Sequence, residues 1–190
     1  MDIYQQLKAD PSFTSKLVSG TQTDRFAGLE GVLNLTEGKS VLDIGSHSGM
    51  VAFEFARFGA RTIHGFDIYQ TGIVASECIF DGMGEEFKFH RADLSEGLDA
   101  FETKFSNLLL PRYDIVLLLA IFQHLKRQMS PENLNLLFNM LVNLSSDLVV
   151  VRTPEYEELG KLIESNDFRL VGFHNYNSNV SPTLVYRRVK

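Results

Sequence analysis

The stretch Val41–Met50, VLDIGSHSGM, constrains this chain more than any other. Val41-Leu42-Asp43-Ile44 reads as the end of a buried strand. Gly45 breaks that strand, and Gly49 opens a new apolar segment, Met50 to Phe58, with helical spacing. Strand, tight glycine turn and helix make the first half of a βαβ unit. In such a turn the backbone can approach a ligand closely, because glycine has no Cβ and tolerates positive φ. The pattern Asp43-Ile44-Gly45-Ser46-His47-Ser48-Gly49 is D-x-G-x-x-x-G, which differs from the G-x-G-x-x-G of dinucleotide-binding turns. Taken alone, it is equally compatible with an ordinary strand-to-helix turn of an α/β protein.

The chain has 190 residues, of which 44% are apolar, enough for one substantial core without help from metal or disulfides. One domain is expected over residues 1–190. The lone cysteine, Cys78, excludes an internal disulfide framework and a Cys-rich zinc site, which makes a reducing cytoplasm the expected compartment. The N-terminus, MDIYQQLKADPSF, lacks the basic start and long apolar run of a secretory signal, and no apolar stretch reaches membrane-spanning length. A net charge of −6 argues against a protein that grips long nucleic acid through its phosphates.

Two short apolar clusters, Ile3/Tyr4/Leu7 and Phe13/Leu17/Val18, are split by Asp10-Pro11 and predict two amphipathic helices. With a helix capped by Thr23-Asp24 and running through Phe26, Leu29, Val32 and Leu33, residues 1–35 are expected to pack on the main domain or cap its cleft. Strands are expected over 40–44, 61–66, 87–92, 113–120, 148–152, 168–173 and 183–189. Helices fall at 50–58, 70–81, 131–144 and 155–164, with a mixed helix and loop over 95–110. The run Ile115–Phe122 reads as a buried strand passing into a loop. Strands alternating with helices and then a closing strand pair predict a Rossmann-like α/β fold. Its seven-stranded sheet would be mostly parallel, with helices on both faces and a closing antiparallel strand pair.

Three successive strands end in an acid: Asp43, Asp67 and Asp93. In a parallel α/β sheet ligands bind outside the carboxyl ends of the strands, so these acids would line one rim. A nucleoside suits such a rim, since its ribose offers two hydroxyls and its adenine an exocyclic amine. Any one of these acids alone is more often a helix cap or turn former than a ligand, whereas three at matching strand ends beside the glycine turn are not readily a coincidence.

In order of elements, Asp24 to Lys190 resembles the class I S-adenosylmethionine (SAM) dependent methyltransferases, although His47 stands where that family commonly has a middle glycine. The resemblance implies a cofactor site of Asp43, Gly45, Ser46, His47, Gly49, Asp67, Ile68, Ala92, Asp93, Leu119 and Ala120. Gly45 and Gly49 would meet the cofactor's methionyl part and ribose, with Asp43 below them at the amino acid moiety. Asp67 would accept both ribose hydroxyls, Ile68 would lie against adenine, and Asp93, beside Ala92, would accept from the adenine amine. YDIVLLLAIFQHL resembles the family's fourth-strand signature, in which Leu119 and Ala120 border the cofactor and Phe122, Gln123 and His124 face the substrate.

His124 is then the candidate general base, against the simpler reading that it shapes its loop. The implied activity is in-line methyl transfer to a small molecule or sugar. The alternatives are an RNA methyltransferase, or a non-catalytic protein that binds SAM. No metal site is expected. His64 and His90 sit within strand patterns and read as structural.

Overall fold

A computed structural model describes residues 26–175 and 181–189 of the chain. The expected helices over residues 1–19 and the Thr23-Asp24 cap lie outside the described residues. Among the described residues seven strands form one sheet: β1 Ser40–Ile44, β2 Thr62–Asp67, β3 Phe87–Arg91, β4 Tyr113–Leu119, β5 Ser145–Arg152, β6 Phe168–His174 and β7 Thr183–Arg188. Their order across the sheet is β3-β2-β1-β4-β5-β7-β6. Strands β1 to β5 pair in parallel, and β7 runs antiparallel to both β5 and β6. The chain is therefore Rossmann-like and mostly parallel, as expected, with β7 slotted between its two neighbours. The order reverses beside β1, where the connections leave in opposite directions and open a crevice at the strand ends.

Among the described residues seven α-helices accompany the strands, α1 before β1 and the others between strands: α1 Glu30–Leu33, α2 Met50–Arg57, α3 Gln70–Phe80, α4 Leu98–Phe105, α5 Phe122–Lys126, α6 Pro131–Asn143 and α7 Tyr156–Glu164. Side chains alternate across a strand, so one strand feeds two cores. Val41, Ile115, Leu117, Leu148 and Val150 pack with Val32, Phe53, Phe55 and Ile79 from α1 to α3. The intervening Leu42, Val116, Leu118, Val149 and Val151 pack with Phe101, Phe122, Phe138 and Leu159 from α4 to α7. Both faces of the central strands are thus covered, which is why β4 and β5 read as unbroken apolar runs. Register is held by polar locks at strand starts: the Ser40 amide and hydroxyl both donate to Asp114 Oδ2 at 2.9 Å. His64 on β2 and Tyr113 on β4 meet across β1, with Nδ1 and the phenol oxygen 2.6 Å apart, a structural role as expected for His64.

Several local expectations are corrected. The residues after β4 are not a loop but the helix α5, because Phe122 and Leu125, three apart, both bury into the α6 side of the core. Strand β4 stops at Leu119, and Ala120 turns out of it at a φ of 59°. Strand β5 begins three residues earlier than expected, at Ser145, which is in register with Tyr113 of β4. The 95–110 segment resolves into a 3₁₀ turn, Leu94–Glu96, followed by α4. Helix α6 starts as its sequence predicts, with Pro131 in the first turn and the Ser130 hydroxyl accepting from the Asn133 amide at 3.3 Å. Among the described residues no helix is long and apolar enough to cross a membrane.

Candidate active site

The carboxyl ends of β1, β2, β3 and β4 open onto a cleft of about 570 Å³, within the usual range for a small-molecule site. It is lined by Asp43, Gly45, Ser46, His47, Asp67, Ile68, Ala92, Asp93, Leu119, Ala120 and His124. Gly49, grouped with these from the sequence, is not on the lining. It is the N-cap of α2 at a φ of 71° and packs beneath the loop against Ser76 of α3.

The loop is built by close approach. Gly45 has a φ of 84°, and its amide and that of Ser46 donate to the Phe66 carbonyl at 2.8 and 3.1 Å, which pins the turn onto the end of β2. From the other side α3 presses a glycine against the loop backbone: a Cβ on Gly72 would lie 2.6 Å from the His47 carbonyl oxygen. Ser76, one turn on, donates to the Gly72 carbonyl at 3.0 Å and reaches the His47 carbonyl at 3.4 Å. Gly72→Ala should therefore destabilise the protein, although alanine is the better helix former by about 1 kcal/mol. Backbone on backbone cannot yield like a side-chain tip, so overpacking of about 1–3 kcal/mol should outweigh that gain. Urea unfolding checks this: a variant more stable than wild type would mean that the loop and α3 are not held together here.

Electrostatics divides the cleft. Asp43, only 2% exposed, has a carboxylate oxygen, Oδ2, with no hydrogen-bond partner, and the buried Ser46 hydroxyl also lacks one. Burial, with the Asp67 charge as the second cause, pushes the Asp43 carboxyl up to about 7. A carboxyl raised in the folded chain is a cost that grows as pH climbs from the unfolded value of 3.8 towards 7, because the unfolded chain gives up that proton first.

Asp67 is gripped on both oxygens. Oδ2 accepts from the His47 amide and Oδ1 from the Tyr69 amide, both at 2.8 Å. Asp93 caps the 3₁₀ turn, its Oδ1 accepting from the Ser95 amide at 3.0 Å and hydroxyl at 2.6 Å, while its Oδ2 carries no hydrogen bond among the described residues. Asp93 thus combines the cap that its position predicts with a place on the cleft wall.

The rest of the lining comes from α5, the residues flanking it and the ends of β4 and β5, among them Ile121, His124, Leu125, Gln128 and Arg152. Ile121 lies over the glycine turn, its Cβ 3.4 Å from where a Gly45 Cβ would sit. The exposed ring of His124 stands on α5, whose first turn is tied by the His124 amide donating to the Ile121 carbonyl at 3.1 Å. Arg152 was not singled out from the sequence. Its guanidinium donates to Thr183 Oγ1 at 2.9 Å and to the Ala27 carbonyl at 2.7 Å, tying β7 and the residues before α1 to the end of β5. Only its strand-end position, level with Leu119, hinted at a place beside the cleft.

Neither a protein-family model nor a curated protein sequence matches the chain. Solved structures do resemble it. Magnesium protoporphyrin IX methyltransferase from Synechocystis PCC 6803, with bound S-adenosylhomocysteine (SAH), is 16% identical with a TM-score of 0.60, over 98% of both chains. Ribosomal protein L11 methylase from Lactobacillus delbrueckii subsp. bulgaricus is 14% identical with a TM-score of 0.58, over 90% of this chain and 81% of that one. A candidate SAM-dependent methyltransferase from Streptococcus mutans is 15% identical with a TM-score of 0.62, over 84% of this chain. The present chain spans 48% of that protein's length, about half. At these identities the likeness is one of fold, and the chain has the Rossmann-like fold of the class I SAM-dependent methyltransferases.

Proposed function

We propose that the chain is a SAM-dependent methyltransferase that acts on a small molecule or sugar by in-line methyl transfer. The observation that carries this is the buried, unpartnered Oδ2 of Asp43 on a cleft whose rim also holds Asp67 and Asp93. A buried acceptor without a partner is costly, so a hydrogen-bond donor or cation is the natural occupant beside it. The ammonium of an amino acid moiety is such a group. Asp67 spends one acceptor position of each oxygen on a backbone amide and keeps another on each, which suits a ribose diol. Asp93 Oδ2 suits an adenine amine, and the exposed Ile68 side chain provides an apolar face for the ring.

Bound SAM would supply a methyl group on a sulfonium, a good leaving group. What remains for the protein is to hold the acceptor in line, and orientation of this kind can lower a barrier by up to about 7–11 kcal/mol. Leu119, Ala120 and Ile121 line the same cleft as the three acids, and so do His124 and Gln128. Proton removal from a hydroxyl acceptor falls to His124. The net charge of −6 supports a small acceptor rather than RNA. The structural relatives carry a porphyrin or a ribosomal protein in their names, so the fold itself leaves the acceptor open.

Isothermal titration tests the cofactor assignment. SAM and SAH should each bind one to one. Near pH 7 the binding heat should depend on the buffer's ionisation enthalpy, because a cation beside Asp43 favours its ionised form and releases its proton. Affinity should accordingly rise as pH passes upward through about 7. No heat with either ligand, together with binding of NAD or ATP, would overturn the proposal.

A further inference from the structure

Of the non-glycine residues with positive φ among those described, His47 and Ala120 both stand on the cleft, and His47, at 48°, sits within the glycine turn itself. A side chain at this backbone angle is strained, and glycine would relieve the strain at no steric cost. The side chain that the chain keeps there has a definite partner: the His47 ring stacks on Tyr69, with centroids 5.4 Å apart and planes 19° from parallel. Both residues are exposed, Tyr69 by 54%, so core burial does not account for the pair.

The same two residues donate their amides to Asp67, one to each oxygen, both at 2.8 Å. Backbone, carboxylate and rings therefore close a circuit: His47 amide, Asp67, Tyr69 amide, Tyr69 ring, His47 ring. The ring contact is thus a side-chain tie between the loop after β1 and the segment after β2, beside the Asp67 carboxylate and the approach of Gly72 to the His47 carbonyl. We propose that the His47–Tyr69 stack is a positioning device that fixes the Asp67 carboxylate at the rim for the ribose hydroxyls of a bound nucleoside, an inference that rests on the SAM assignment above. His47 and Tyr69 act through Asp67, and neither is assigned a chemical step.

A merely structural loop residue and a positioning residue move different observables. With SAH as the titrant, His47→Gly and Tyr69→Ala should each weaken binding about 10-fold, and the double variant should lose no more than either single one. His47→Phe, which keeps a ring at the same position, should recover most of the loss. The melting temperature of His47→Gly should equal or exceed that of wild type, because glycine accepts the loop's φ. Wild-type affinity in His47→Gly, or His47→Phe binding as weakly as His47→Gly, would overturn the positioning role while leaving SAM as the cofactor. Wild-type protein that binds no SAH would overturn the SAM assignment itself, and this inference with it.

Discussion

Replacing His124 by alanine should slow methyl transfer to a hydroxyl acceptor by roughly 10²–10⁴-fold, the usual contribution of a positioned general base. SAH affinity should stay close to that of wild type, because His124 stands on α5 and belongs to none of the strand ends that carry Asp43, Asp67 and Asp93. The fold should persist as well. The His124 side chain is exposed, α5 is anchored by the buried Phe122 and Leu125, and alanine favours the helix. A sulfonium needs no acid to leave, whereas a hydroxyl that attacks must lose its proton as the bond forms, and no other imidazole lines the cleft apart from His47 in the glycine turn. An unprotonated amine acceptor needs no such base, and with one the loss should be small. Single-turnover rates for both proteins across pH 5 to 8 decide the matter. A wild-type rate that is flat with pH, and equal in the variant, would remove the base from the mechanism.

Loss of the Asp67 carboxylate should have the largest effect on binding. Each charge-assisted hydrogen bond to a ribose hydroxyl contributes about 1.5–3 kcal/mol, so Asp67→Ala should weaken SAM binding by roughly 10- to 150-fold for one bond lost. A second effect adds to this, since the same carboxylate holds the amides of His47 and Tyr69 at 2.8 Å, and the loop loses that tie. Asp67→Asn keeps one neutral acceptor and should fall between the two. The substitution also reaches Asp43. Burial is the main reason its carboxyl is raised and the Asp67 charge only the second, so without that charge Asp43 should titrate lower, yet still above an ordinary carboxyl. Proton release on binding should therefore shrink without vanishing. Unchanged affinity in Asp67→Ala would take Asp67 out of the site.

Much of this organisation is written locally in the chain. The apolar runs Val41–Ile44 and Tyr113–Ala120, the glycines of the first turn and the acids at three successive strand ends depend on period, turn chemistry and order, and each stands in the fold, with β4 one residue shorter than read and Gly49 beneath the loop rather than on the cleft. The Ser130-Pro131 start of α6 is equally local, being set by one hydroxyl and one ring-fixed φ. Helix α5 was read as a loop. Its signal was the i, i+3 pair Phe122 and Leu125, too short a stretch to show a period after an apolar strand.

Other features needed the third dimension. That β7 enters between β5 and β6 depends on which edge of the sheet was still open, a property of the assembled layers rather than of Thr183–Arg188. The need for glycine at position 72 comes from the His47 carbonyl, 25 residues earlier in the chain, which α3 meets only once it has packed. Arg152 stands beside the cleft because β5 lies next to β4, and its guanidinium is held by Thr183 and Ala27 from opposite ends of the described chain.

The raised Asp43 carboxyl has the same origin. Residue type and spacing place an acid at the end of β1, but only the closed sheet removes its water and brings the Asp67 charge near. Sequence alone thus determined which residues carry polar chemistry to the rim, because strand ends and turns are set by near neighbours. Tertiary structure decided how those residues are charged, gripped and walled in, because desolvation and facing partners exist only after distant segments meet.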